Sequence, residues 1–114
     1  MGEERGKAAL PEEFLERVAF RFKALGEPAR LRLVHCLMAD EKSVGTLVAE
    51  SGLNQANASR HLNSLVQAGL LGRRKEGNFV YYRIEDPSVY ELCDLVCRSL
   101  RAKHREEAGL FSEA

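Results

Sequence analysis

The chain has no tryptophan, only three cysteines and three prolines, and no net charge, its 17 basic residues being balanced by 17 acidic ones. Each shortage excludes a class of protein. Three cysteines are too few, and odd in number, for a disulfide framework, so Cys36, Cys93 and Cys97 are expected as thiols. No stretch approaches the roughly 18 uninterrupted apolar residues that a membrane span needs, and the first residues carry no apolar segment of the kind that directs export. A cytoplasmic protein without a membrane partner is expected. His35, His61 and His104 are scattered, with no glycine-rich phosphate loop, nucleophile elbow or paired-carboxylate motif beside them, so an enzyme is not expected.

What is present fits one domain. The 114 residues, 45% hydrophobic and 30% charged, suffice for a single small core. Overall neutrality would argue against a polyanion partner, but the charge is unevenly placed. Residues 54–83 hold Arg60, Arg73, Arg74, Lys75 and Arg83 against Glu76 alone, a local +4 that leaves −4 elsewhere. Because salt screens charges beyond about 10 Å, a basic third can attract phosphates whatever the total.

Periodicity divides the chain into a tail at 1–10, a domain at 11–108 and a second tail at 109–114. Phe14, Leu15, Val18, Phe22 and Leu25 follow helical spacing from Pro11 to a stop at Gly26. Pro28 opens a second helix, with Leu31, Val34, Leu37 and Met38 on its apolar face, ending near Ala39. Asp40 to Lys42 are expected as a turn. Ser43 caps a third helix, VGTLVAES, that stops at Gly52, and Asn54 caps a fourth that runs to about Ala68. Two helices joined by so short a turn form a helix-turn-helix. Leu70–Arg74 and Phe79–Ile84 flank a Gly77-Asn78 turn as a β-hairpin, and Val89, Leu92, Cys93, Val96 and Leu100 mark a last helix to about Glu107. The order is ααααββα, a mainly α (α+β) winged helix-turn-helix.

The fourth helix carries the chemistry. Asparagine and glutamine pair with adenine edges, arginine with guanine, and a helix N-terminus offers amides to phosphates. Gln55, Asn57, Ser59, Arg60 and Asn63 supply those groups, with His61 expected as a phosphate contact or a structural residue. In the hairpin, Arg73, Arg74, Lys75 and Asn78 are expected to meet backbone phosphates or the minor groove of double-stranded DNA, which positions more than it specifies. One helix reads only a few base pairs, so a homodimer joined through the first and last helices, placing two such helices one DNA turn apart over a palindrome, is expected.

These stretches, FKALGEPARLRLV, SVGTLVAESGLNQANASRHLNSLVQAGLLGRRKEGNFVYYRI and the cysteine-bearing final helix, resemble the ArsR/SmtB family of bacterial repressors across roughly residues 14–100. The resemblance implies a homodimeric transcriptional repressor that binds operator DNA and is released by an effector; the rival expectation is a winged helix used as a protein-interaction module, which would lack the steep salt dependence of phosphate contacts.

The effector is left open among three readings of the cysteines. Cys93 and Cys97, four apart on one helix face, suit a soft ion such as As(III), Cd(II), Pb(II) or Zn(II), with Cys36 or a residue of a second subunit completing the site. The family's third-helix cysteine cluster is absent here. Its zinc pattern on the last helix is matched in spacing by Glu91, Cys93, His104 and Glu107, whereas the aligned positions, Asp86, Ser88, Ser99 and Ala102, retain only the acid. The second reading is thiol redox or reactive-sulfur sensing: Cys36 falls where the family's sulfide sensors place one cysteine, and Cys97 lies about one turn before the other. The third is that all three are inert core thiols. No cofactor is implied with certainty.

Overall fold

The computed structural model describes residues 9–112, with side chains through Glu107. Eight elements follow one another: α1 (Glu12–Leu25), α2 (Pro28–Leu37), β1 (Lys42–Ser43), α3 (Val44–Ser51), α4 (Gln55–Gln67), β2 (Leu71–Glu76), β3 (Phe79–Ile84) and α5 (Ser88–Ser112). Residues 1–8 of the expected N-terminal tail lie outside the described residues. The last helix continues past Glu107 to Ser112, so part of the segment read as a C-terminal tail is helical.

Local chemistry explains most boundaries. Pro28 begins α2, where its missing N–H costs nothing, and the side chain of Ser43 accepts the Thr46 amide at 3.2 Å to start α3. Between α3 and α4 the chain reverses at Gly52, whose φ of 77° is a left-handed value that a Cβ would strain. Gly77, with φ 62°, similarly opens the two-residue hairpin loop between β2 and β3.

The sheet has one strand more than the sequence suggests. The expected turn at Asp40 to Lys42 gives way to β1, which pairs antiparallel with β3 through Lys42–Tyr82 and Ser43–Tyr81, so the strand order is β1-β3-β2. Two residues are too few to show alternation, and what makes them a strand is the free edge of β3.

Leu33, Val34 and Leu37 of α2, Leu47 of α3, Leu62 and Leu65 of α4, Leu70 and Leu71 at the base of the hairpin, and Val89 of α5 form the buried core. This core seats α4 against α2 and α3 and leaves its opposite face to solvent. The outer helices behave differently. Phe14, Leu15, Phe20 and Phe22 on α1, with Tyr90, Leu95, Val96 and Leu100 on α5, are 43–62% exposed. Among the described residues no helix is long and apolar enough to cross a membrane.

Candidate nucleic-acid interface

At about 100° per residue, α4 divides cleanly into two faces. Ala58, His61, Leu62 and Leu65 recur at helical spacing and are buried. Gln55, Ala56, Ser59, Arg60 and Asn63 occupy the other face and are exposed, with Asn57 half-buried at its margin. The Asn54 side chain accepts the Asn57 amide at 2.8 Å. The amides of Gln55 and Ala56, which lead the helix and have no carbonyl one turn back, then point outward at the positive end of the helix dipole. Arg60 donates to Asn57 Oδ1 at 3.1 Å, which holds its guanidinium over the first turn beside those amides. The result is a polar leading edge with paired donors and acceptors and no carboxylate.

The hairpin projects beside it. Register places Arg73 opposite Tyr82, Arg74 opposite Tyr81 and Lys75 opposite Val80, so successive cations point to opposite faces. Lys75 and Asn78 are exposed near the tip, and Arg73, also exposed, donates to the Tyr82 hydroxyl at 3.3 Å. On the opposite face of the hairpin, the one that Arg74 shares, Phe79 and Tyr81 stand with ring centroids 6.4 Å apart.

The side chains of two expected site residues already have partners within the protein. His61 is not available to a phosphate: it is 4% exposed, with its ring turned between α4 and the start of α2, which leaves it the structural role. Its phase on the helix, three residues after Ala58 and four before Leu65, explains the burial. Arg74 is already engaged. Its Nε and Nη2 donate to the two carboxylate oxygens of Glu41 at 2.9 and 2.8 Å, Nη1 donates to Glu76 at 3.0 Å, and the guanidinium lies 4.5 Å from the Tyr81 ring centroid. These carboxylates hold Arg74 firmly protonated, and Arg74 in turn pulls the Glu41 carboxyl below its ordinary range. With two anions in contact, Arg74 offers little free charge to a polyanion.

The cysteines are spread between α2 and α5. Cys36 and Cys93 are half-buried against the core, and Cys97, one turn beyond Cys93, is exposed. Burial pushes the Cys36 thiol up, with the Glu50 carboxylate adding to the effect, and burial followed by the neighbouring Cys97 does the same to Cys93. Both therefore stand as thiols at neutral pH. Among the described residues no group of three or more His, Cys, Asp or Glu side chains is arranged to hold a metal ion. Cys36, Cys93, Cys97, His104 and Glu107 thus do not converge into one site within a subunit. Sequence reasoning also passed over Arg30 of α2, whose Nε donates to His61 at 3.2 Å; with Arg32 two residues on and His35 on the same helix, nothing in the sequence singled it out.

Comparisons with known proteins accord with this architecture. A family model described as "Bacterial regulatory protein, arsR family" matches residues 27–72, from the approach to α2 into β2. The chain is 39% identical over 72 residues to Rv0081, an uncharacterized HTH-type transcriptional regulator of Mycobacterium tuberculosis; the match takes in 62% of this chain and 63% of that protein's length. The crystal structure of Rv0081 superposes with a TM-score of 0.75 at 30% identity, over 87% of this chain and 99% of the crystallised one. A probable mercury resistance operon repressor of Streptomyces lividans is 32% identical over 83% of this chain and 75% of its own length. The solution structure of a homodimeric winged helix-turn-helix DNA-binding domain from Mycobacterium bovis matches with a TM-score of 0.73 at 32% identity, covering 88% of this chain and 94% of that one.

Proposed function

The chain belongs to the arsR family of bacterial transcriptional regulators, and from that premise we propose that it represses transcription by binding a palindromic operator as a homodimer. The observation that carries this is the solvent-facing edge of α4, where Gln55, Ser59, Arg60 and Asn63 stand exposed with Asn57 at their margin and no carboxylate intrudes. Major-groove readout asks for such a face: amides for adenine, a guanidinium for guanine, helix-leading N–H groups for phosphate. Arg73, Lys75 and Asn78 of the hairpin would then touch the flanking backbone or minor groove and fix the register.

The apolar faces of α1 and α5 supply the means of pairing two subunits, and the Mycobacterium bovis neighbour is a homodimer. A cytoplasmic site of action accords with this function.

For release, a soft metal or metalloid acting at Cys93 and Cys97 is the favoured trigger, supported by their one-turn spacing, by the exposure of Cys97 and by the Streptomyces relative named for mercury resistance. Two thiolates need a further ligand, which a residue of the second subunit would supply. Reactive-sulfur chemistry at the same thiols is the alternative. Because α5 carries both the cysteines and the pairing face, ligation there would change the spacing of the two α4 helices. A coupling free energy of about 1–3 kcal/mol would lower operator affinity roughly 5- to 150-fold.

The test is to select bound duplexes from a random pool and titrate the complex with Hg(II), Cd(II), As(III), Zn(II) and a persulfide donor. A selected palindrome, released by one of these in the native chain but not in Cys93→Ser or Cys97→Ser, is the expected result. Failure to enrich any duplex would overturn the operator function. Release that survives both substitutions would remove Cys93 and Cys97 from the sensor.

A further inference from the structure

One buried titratable group on α4 has no part in the contacts proposed above. His61 follows Arg60 directly, yet its ring faces inward at 4% exposure. Arg30 Nε donates to His61 Nδ1 at 3.2 Å, and Arg30 Nη1 reaches the Ala24 carbonyl at 3.5 Å, so a single guanidinium joins the end of α1, the first turn of α2 and the middle of α4. On the other side of the ring, Glu27 Oε1 lies 3.9 Å from Nε2. A guanidinium keeps its protons throughout the accessible pH range, so it can only donate. Nδ1 accepts that bond only while it carries no proton, which places the neutral ring's proton on Nε2, toward Glu27.

The charged groups facing this imidazole are Arg30 from α2, Glu27 from the turn that leads into α2, and Arg60 from α4 itself. Burial, aided by Arg60 and Arg30 and opposed by Glu27, holds the imidazole below its ordinary range.

We infer that the Arg30–His61 hydrogen bond is a proton-sensitive clasp that seats α4 on α1 and α2, so that a subunit presents its DNA-reading face correctly only while His61 is neutral. The inference rests on the operator-reading function proposed above and deepens it by naming two positioning residues behind the contact surface. Protonating Nδ1 turns an acceptor into a donor that confronts another donor, and sets imidazolium against guanidinium in a poorly hydrated space. The strain is relieved by swinging the ring or shifting α4. Either movement displaces Arg60, one residue away, and base readout requires placement within about 0.5 Å. A histidine lying against phosphate would behave oppositely, because acid would then strengthen binding.

The experiment is fluorescence anisotropy of a labelled, pool-selected operator with the full chain, from about pH 7.5 to about pH 5 at constant ionic strength. The expected result is loss of affinity on the acid side, approaching about tenfold per pH unit for each subunit below the His61 midpoint. His61→Gln, whose amide oxygen accepts from Arg30 without titrating, is expected to bind at neutral pH and to lack the acid-side loss. His61→Leu, with no acceptor, is expected to bind weakly at every pH while keeping its helical circular dichroism. Should His61→Leu fail to fold, the glutamine variant and the ¹⁵N shifts of the His61 ring carry the test, with Nδ1 expected unprotonated at neutral pH. An affinity that is flat or rises in acid, a glutamine variant with the native pH slope, or a protonated Nδ1 at neutral pH would each overturn the clasp alone. A native chain that binds no duplex at any pH would overturn the operator function and the clasp with it.

Discussion

Arg74 and Lys75 are neighbours in sequence and both basic, yet strand alternation gives them different partners. Arg74 faces Glu41 and Glu76 and lies over Tyr81, whereas Lys75 stands exposed near the hairpin tip. A cation already matched by carboxylates releases few counterions when it approaches DNA, because little of its charge is free to replace them. Lys75→Ala is therefore expected to lower the slope of log affinity against log salt by about one per contact, and Arg74→Ala to leave that slope nearly unchanged. Salt titrations of the two variants check this, and equal slopes would refute the division. Arg60 belongs to a third category. It is exposed on α4 and steadied by Asn57, so Arg60→Ala is expected to cost about 1–3 kcal/mol on the preferred duplex and to relax base preference at the position it reads. A pool reselected with this variant that returns the same consensus would assign Arg60 to the phosphates instead.

At the scale of elements, α4 depends on its first turn. The Asn54 side chain satisfies the Asn57 amide, and removing it leaves that donor without its partner while the other leading amides keep their solvent contacts. Asn54→Ala is expected to destabilise the fold by about 1 kcal/mol in thermal or denaturant unfolding. Operator binding should weaken further because the frayed turn carries Gln55 and Asn57; a variant with unchanged stability would show that the core alone holds the turn. Such local devices were legible in the sequence. Ser43, Gly52, Asn54 and Gly77 act within a few residues of themselves, and the boundaries of α3 and α4 and the hairpin turn follow from them. What could not be read locally depends on distant partners. β1 exists because Tyr81 and Tyr82 pair with it some 40 residues later, and Arg74 is engaged because Glu41 lies across the sheet. The inward turn of His61 is an intermediate case. Its phase with Ala58, Leu62 and Leu65 was present in the sequence, but a polar residue on a buried arc becomes readable only once Arg30 is known to meet it.

For the molecule as a whole, shape and surface point the same way. A radius of gyration of 17.6 Å exceeds the roughly 13 Å of a compact domain of this length, because α1 and α5 extend away from the core with their apolar side chains uncovered. Among the described side chains, water meets four large apolar residues on each of these helices, a concentration that marks an interface rather than scattered surface residues. In a symmetric pair each subunit offers the same patch, so one substitution acts twice. Leu95→Glu combined with Leu100→Glu places charge at positions 59% and 62% exposed, where the subunit's own core loses little. The variant is expected to keep its helical circular dichroism and to run as a single subunit in light scattering. With the two α4 helices no longer linked, its operator affinity should fall by about 10²- to 10⁴-fold, the advantage that a tethered second half-site confers. A variant that stays dimeric would move the interface off this face of α5, and a single subunit that binds as tightly as the native chain would refute symmetric recognition. Because Cys93 and Cys97 lie on the same helix, the outcome also bears on the proposed release, which would carry ligation at these thiols to the DNA through the pairing face of α5.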